Sequence, residues 1–301
     1  MKTSIYIIAF SLVLSLFVEA QTVRVISREK LAQKGMYPTL NVSGNKLLYT
    51  SDGYSGLNML DLTTKQLTEI SKDAGAGYEP QFAPDDSKIY FRKTSFVDNR
   101  KYNAVSEFEL KSGAKKELLS PQRSLNKIQT LKNGVIAFSG KNLLRATTVK
   151  SNQTPVFVTA NEDLKILVYN NNKLQFLNPL NMPESRYIWV SLSPDSKKIL
   201  FTAAGKGTYV CDLNGKILYS LGYLNAPVWF NDNYVVGMED KDDGQQIVSS
   251  KIIMISVDKK SKTIISDEKS IAMYPAASGK ANRIAYQTEN SEIEIVTVKI
   301  Q

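Results

Sequence analysis

The chain has 301 residues, with 38 Lys and Arg against 29 Asp and Glu, a net charge of +9, one cysteine and no histidine. The missing histidine excludes Ser-His-Asp and Cys-His nucleophile activation, His-ligated zinc and imidazole acid–base chemistry, and the single Cys211 excludes an intramolecular disulfide and a cysteine metal cluster. The lysines sit at turns, as at Lys46, Lys65, Lys88, Lys115 and Lys116, with no basic stripe interleaved with aromatics, so the charge implies solvation and some attraction to anionic surfaces, not nucleic-acid binding.

In chain order the first element is a leader. Lys2 precedes a nearly unbroken apolar run from Ile5 to Val18, and Val18-Glu19-Ala20 puts small residues where a signal peptidase cuts. The run is shorter than the roughly 20 apolar residues a spanning helix needs. Gln21 stands where a lipoprotein would carry cysteine. The expectation is a signal peptide over residues 1–20 and a periplasmic or secreted domain over 21–301 that does not span the membrane. Thr22-Val23-Arg24-Val25-Ile26-Ser27 then reads as an isolated strand.

A repeat follows. Its units open on an aromatic or proline lead-in, continue through a short strand and a polar turn, and carry a second strand ending in an aromatic and a third ending near Asp-Leu. The first unit runs Tyr37-Pro38-Thr39-Leu40, Leu47-Leu48-Tyr49, Leu57 to Leu62 and Gln66 to Ile70; the second runs from Tyr78-Glu79-Pro80 through Ile89-Tyr90-Phe91 to Leu110. Two thinner units, Ile128–Thr148 around Asn133-Gly134 and Val156–Leu180, hold three strands each. The fifth opens at Trp189-Val190 and includes Tyr209-Val210-Cys211-Asp212-Leu213, where Cys211 reads as a buried small hydrophobe. The sixth opens at Ala226-Pro227-Val228-Trp229 and the last at Tyr274-Pro275. Pro38 and Pro80 are 42 residues apart, Val190 and Pro227 37, and Pro227 and Pro275 48. A period of about 40 to 50 residues built from short strands is that of a four-stranded propeller blade.

A four-stranded sheet cannot bury both faces alone, so such blades stack in a ring. The last unit has only three strands, ending at Val298, and Thr22–Ser27 supplies the fourth. The fold expected is therefore all-β, a single closed β-propeller whose N-terminal strand completes the last blade. Strand counting gives seven blades, and merging the two thin units gives six. An ordinary β-sandwich would not need the repeated lead-in and turn.

The phrases Ser193-Pro194-Asp195-Ser196-Lys197-Lys198-Ile199 and Ala83-Pro84-Asp85-Asp86-Ser87-Lys88-Ile89 resemble the Ser-Pro-Asp-Gly-Lys-x-Ile turn of TolB-like propeller repeats, as do the lead-ins at Pro38, Pro80 and Pro227. Asp86 and Ser196 replace the usual glycine, and the third and fourth units match poorly. The resemblance implies a periplasmic protein-binding module, usually six-bladed. The α/β domain that precedes the propeller in TolB itself has no counterpart ahead of the strand at Thr22.

Among possible chemical sites the most pointed is Glu239-Asp240-Lys241-Asp242-Asp243-Gly244, expected as a loop between the second and third strands of the sixth unit. Its carboxylates could wrap calcium, but their spacing is not that of a calcium loop, and an acidic solvated loop is the preferred reading. Asp52, Glu79, Glu239 and Asp240 could supply a carboxylate pair for glycan hydrolysis, although nothing in the spacing selects one. Gly205-Lys206-Gly207-Thr208 reads as a hairpin turn and not a phosphate loop, and Gly53-Tyr54-Ser55-Gly56 is not a nucleophile elbow. The reading is an exported non-catalytic binding or scaffold module with no cofactor and no metal. It would engage a protein or a cell-envelope glycan through rim residues Tyr54, Tyr78, Lys206, Glu239, Asp240, Asp242 and Asp243, with Phe96–Tyr102 beside them. The alternative is a carboxylate-dependent glycan hydrolase or lyase at the rim or channel.

Overall fold

The computed structural model describes residues 22–131, 134–147, 155–184 and 186–301, so the expected signal peptide and the turn residue Asn133 lie outside the described residues. Strand β1 (Val23–Lys34) leads into seven small antiparallel sheets. Blade I holds β2 (Met36–Leu40), β3 (Lys46–Thr50), β4 (Leu57–Asp61) and β5 (Leu67–Ser71). Blade II holds β6 (Gln81–Phe82), β7 (Lys88–Val97), β8 (Arg100–Glu109) and β9 (Lys115–Gln122). Blades III and IV have three strands each, β10 (Gln129–Leu131), β11 (Gly134–Ser139) and β12 (Asn142–Thr147), then β13 (Phe157–Ala160), β14 (Ile166–Asn170) and β15 (Lys173–Leu177). Blade V holds β16 (Tyr187–Leu192), β17 (Lys198–Ala203), β18 (Gly207–Asp212) and β19 (Ile217–Gly222), and blade VI β20 (Asn225–Trp229), β21 (Tyr234–Asp242), β22 (Ile247–Ser256) and β23 (Lys262–Ile264). Blade VII is β24 (Ala272–Ser278), β25 (Arg283–Thr288) and β26 (Glu292–Ile300), with β1 as its outer strand. This is a seven-bladed β-propeller, with each thin unit a blade of its own.

The ring is held by what lies between blades. Among the described residues there are seven clusters of buried apolar side chains, each shared by two neighbours, and one of them joins blade VII to blade I. The second strand of a blade feeds two clusters at once. In β3, Leu47 packs toward blade VII and Leu48 toward blade II; in β17, Ile199 and Phe201 pack toward blade IV and Leu200 toward blade VI. A strand buried on both faces reads as a continuous apolar run, which is why these segments do not alternate.

The expected pairing of Val23–Ile26 with the last strand is present, and it extends further than the six-residue strand read from the sequence. Val23 pairs with Ile300 and the register continues, across two irregularities, to Lys34 opposite Glu292. Thr22 and Gln301 exchange backbone hydrogen bonds at 2.9 and 2.8 Å. Arg28 also donates to the carbonyl of Ile265 in blade VI, so β1 ties two blades together.

The polar turns that follow the inner strands make a second belt. Asp86 accepts hydrogen bonds from the backbone N–H groups of Val42 and Ser43 in the preceding blade, and Asp232 accepts one from Asp195. Asp86 and Ser196 hold φ of 58° and 59°, the left-handed conformation that glycine adopts without strain.

Blade IV departs from the pattern. The side-chain amides of Asn126 and Gln129, on the approach to and start of β10, donate to the carbonyls of Ala160 and Val156, and Ser124 bonds Glu162. Ascending residue numbers on one side meet descending numbers on the other, so β13 runs antiparallel to β10. The innermost strand of blade IV therefore occupies the direction of a second strand, and its turn Asn161–Lys165 lies on the face where the other inner strands begin.

Two measurements follow. A chain starting at Gly35 should melt at least about 10 °C below one starting at Gln21, since β1 buries Val23 and Leu31 and covers the edge of β26; an equal midpoint would show that β1 is dispensable for closure. Asp61 accepts hydrogen bonds from Lys46 Nζ and the N–H groups of Thr64 and Thr63, which hold its carboxyl down to about 2. A depressed folded value contributes stability that is present above the unfolded value of 3.8 and lost as pH falls toward 2. Asp61→Asn should thus lower the melting point at pH 7 and bring it closer to the parent's at pH 2.

Candidate binding site at the channel mouth

Five blades are kinked at the same place, four within the inner strand and blade II just before it. Tyr37, Glu79, Trp189, Ala226 and Tyr274 have φ of 52°, 50°, 51°, 43° and 51°, one residue before Pro38, Pro80, Val190, Pro227 and Pro275. The residue before a proline is pushed out of the right-handed helical region, and in β2, β16, β20 and β24 the strand register shifts at the kink, as in a β-bulge. A left-handed non-glycine residue costs roughly 1–3 kcal/mol, and five copies at one level of a ring are a feature of the mouth, not of any one blade. All five line a cavity of about 790 Å³ where the central channel opens.

Four tyrosines form an arc on one side of this mouth. The ring centroids of Tyr274 and Tyr37 are 4.9 Å apart, Tyr37 stacks on Tyr54 at 4.5 Å, and Tyr54 meets Tyr78 edge-on at 5.2 Å. The arc ends at Arg92, whose guanidinium lies 5.1 Å from the centroid of Tyr78. Burial, reinforced by the hydrogen bond with Tyr54, raises the Tyr37 phenol to about 12, so it stays a neutral donor and acceptor. The neighbouring carboxylate of Glu79, together with burial, raises Tyr78. Trp189 and Trp229 stand in the wall from blades V and VI.

Arg92 is only 4% exposed. Its Nη1 and Nη2 donate to the carbonyls of Leu125 and Asn126 at 2.9 and 2.8 Å, and its Nε has no partner. Burial lowers its pKa, partly offset by Glu79. Glu79 itself faces Lys127 at 3.9 Å.

Of the residues singled out in the sequence, Tyr54, Tyr78 and Glu79 meet at this mouth. Lys206 does not line it; it sits in the turn between β17 and β18, with its carbonyl bonded by the Tyr209 hydroxyl. Asp52 is exposed in a one-turn 3-10 segment. Phe96–Tyr102 is a hairpin closed by Asp98 and Asn99, both left-handed, and not an irregular loop.

The acidic segment needs correction. Glu239 and Asp240 belong to β21 and only Asp243 to Gln246 turn the chain. Successive residues of a strand face opposite ways. Glu239 pairs with Lys262 at 2.5 Å, and Asp240 accepts from Asn225. Asp242 accepts from the N–H of Gly244, and Asp243 from those of Gln245 and Gln246. The cation that pairs with this segment is Lys262, from β23. No group of three or more metal-binding side chains forms among the described residues. Glu239 and Asp240 instead line a second, smaller cavity of about 580 Å³ with Asp267, Glu268 and Glu289.

The residues that sequence reasoning passed over are Tyr37, Trp189, Trp229, Tyr274 and Arg92. The first four stood in plain view as repeat lead-ins, which marked the blade and carried no sign of a site. Arg92 carried no signal, because an arginine following an apolar run such as Ile89-Tyr90-Phe91 is indistinguishable from a surface residue until its neighbours are known.

Because the bound carboxylates of the acidic segment point to separate partners, millimolar calcium and a chelator should give the same melting midpoint. Burial raises the Asp240 carboxyl above 3.8, so the charged form weakens the fold as pH rises through its folded value. Asp240→Asn should raise the midpoint at pH 7, by a few degrees, and the gain should fade as pH falls toward 3.8.

Compared with protein-family models and with curated proteins, the chain matches none.

Proposed function

We propose that this chain is an exported, non-catalytic binding module of the TolB-like kind, and that it takes its ligand, presented by a protein or a cell-envelope glycan, at the mouth of the central channel. The observation that carries the proposal is the convergence of one kinked residue from each of five blades on a single cavity faced by an arc of tyrosines. The volume is that of pockets for small ligands or short segments, apolar in the walls with a few polar groups for orientation. A catalytic reading draws little support from the placement of the carboxylates. Asp52 is on the surface and Glu239 and Asp240 line a different cavity; the carboxylates at the mouth are Glu79, opposite a lysine, and Glu162, bonded by Ser124, so each already has a partner.

The test is a double variant, Tyr37→Ala with Trp189→Ala, beside the parent on an array of soluble glycans and envelope proteins. The parent's binding should fall by about ten-fold or more in the variant while the melting point changes little, because Trp189 is 39% exposed. Undiminished binding would remove the site from the mouth. Release of new reducing ends or unsaturated products from any glycan on the array would overturn the non-catalytic assignment.

A further inference from the structure

We infer that the ligand taken at the channel mouth is an acidic saccharide whose carboxylate is held by Arg92. This rests on the binding reading above and adds a ligand class to it.

Arg92 is the starting point. A guanidinium is charged at every physiological pH and is buried at a cost unless an anion faces it. Among the described residues none makes an ion pair with Arg92: Glu79 attracts it but pairs with Lys127. Two nitrogens are held by backbone carbonyls, which fix the plane of the group, and Nε has no partner. Arg92 lines the cavity, and a rigid, dehydrated guanidinium with one buried donor unpartnered suits a planar carboxylate, which accepts parallel N–H bonds once it enters and displaces the packing around Nε. Arg123 lines the same cavity with its guanidinium 5.5 Å from the Tyr102 ring and only a long 3.4 Å hydrogen bond to the Lys101 carbonyl.

The rings supply the rest. An aromatic face carries negative charge density and attracts the slightly positive C–H groups of a sugar's flat side, while the phenol hydroxyls reach its hydroxyl edge. The arc Tyr274, Tyr37, Tyr54, Tyr78 is continuous and ends on Arg92. A small inorganic anion would use the arginine and none of the rings. A peptide can offer carboxylates at its C-terminus and at Asp and Glu, but not on the same rigid ring as a flat C–H face. A uronic acid unit carries both an apolar face and a carboxylate within one ring, which is the pair of groups this wall presents.

The chain carries its own reporter, because its only two tryptophans, Trp189 and Trp229, both line the cavity. Tryptophan emission of the mature protein is followed while a β-1,4-linked oligoglucuronate is added, and separately a cello-oligosaccharide of equal length, which differs only in bearing CH₂OH in place of the carboxylate. The oligoglucuronate should change the emission saturably, bind about ten-fold or more tightly than the neutral sugar, and weaken as salt rises. Arg92→Gln should abolish the preference for the acid. Should that variant melt early, the acid-to-neutral comparison on the parent decides the matter without it. Equal binding of the two sugars would overturn the acidic-ligand inference and leave the channel-mouth reading standing. A response to a peptide with a free C-terminal carboxylate, and none to oligoglucuronate, would overturn it likewise. Calorimetric binding of oligoglucuronate with unchanged emission, undiminished in Arg92→Gln, would overturn both.

Discussion

The second strand of a blade carries apolar side chains at consecutive positions, as in Leu47-Leu48, Val135-Ile136-Ala137-Phe138 and Ile199-Leu200-Phe201, so both of its faces have to be covered by a neighbour. No blade can satisfy this alone, and in a row of blades the two end blades would each leave one face wet. Only a ring removes the ends. The cluster joining Ala276, Ala285, Ile293 and Ile295 of blade VII to Leu40, Leu47 and Leu60 of blade I is where that demand is met, with Leu31 of β1 inside it. The rest of the architecture, including the central cavity, exists because this one junction closes without any covalent link. The chain's lone thiol, Cys211, is buried between blades IV and V, and burial pushes it up to about 12, so it stays an unreactive core residue.

Closure also explains where the strain is placed. Seven inner strands converge on an axis, and a straight strand would point its first side chains along its neighbours. The left-handed kink at Tyr37, Glu79, Trp189, Ala226 and Tyr274 turns the chain as it enters. Because the kink recurs at equivalent positions, side chains from blades distant in sequence reach one another, and Tyr37 and Tyr274 touch across 237 residues of chain by their numbering. The cost of each kink is met by the interblade clusters directly below. Binding residues thus stand on a rigid frame, which keeps the entropy lost on binding small.

The fold was legible because its signals repeat. The Ser-Pro-Asp and Ala-Pro-Asp turns and the lead-in prolines recur at blade spacing, and Thr22–Ser27 was recognisable as the missing strand of a three-stranded last unit. The thin units were countable, yet the reversal of β13 was not. A strand's direction within a ring leaves no trace in its own residues, and Asn161–Lys165 has the same turn bonds as Asn41–Lys46 although it lies on the opposite face. The site was legible in part. Tyr54, Tyr78 and Glu79 stood out as polar or aromatic residues in loops, whereas Asp240 read as a loop carboxylate because charge density outweighed strand periodicity in Glu239-Asp240-Lys241-Asp242. Arg92 is intelligible only through Leu125, Asn126 and Tyr78, three residues brought to it by two other segments.

The reversed strand of blade IV carries a rule about parity. Each strand alternates direction with the one before it, so losing a single strand would send every later blade through the ring upside down. Trp189, Ala226 and Tyr274 would then emerge at the opposite opening from Tyr37 and Glu79. Among the described residues blades III and IV together show six strands where two full blades would have eight, and the inner strand after them again enters from the mouth side. Shortening of this kind leaves the mouth intact only when strands go in pairs. The thinnest stretch of the ring is therefore a place where two strands can be absent together without scattering the binding residues to the two ends of the channel.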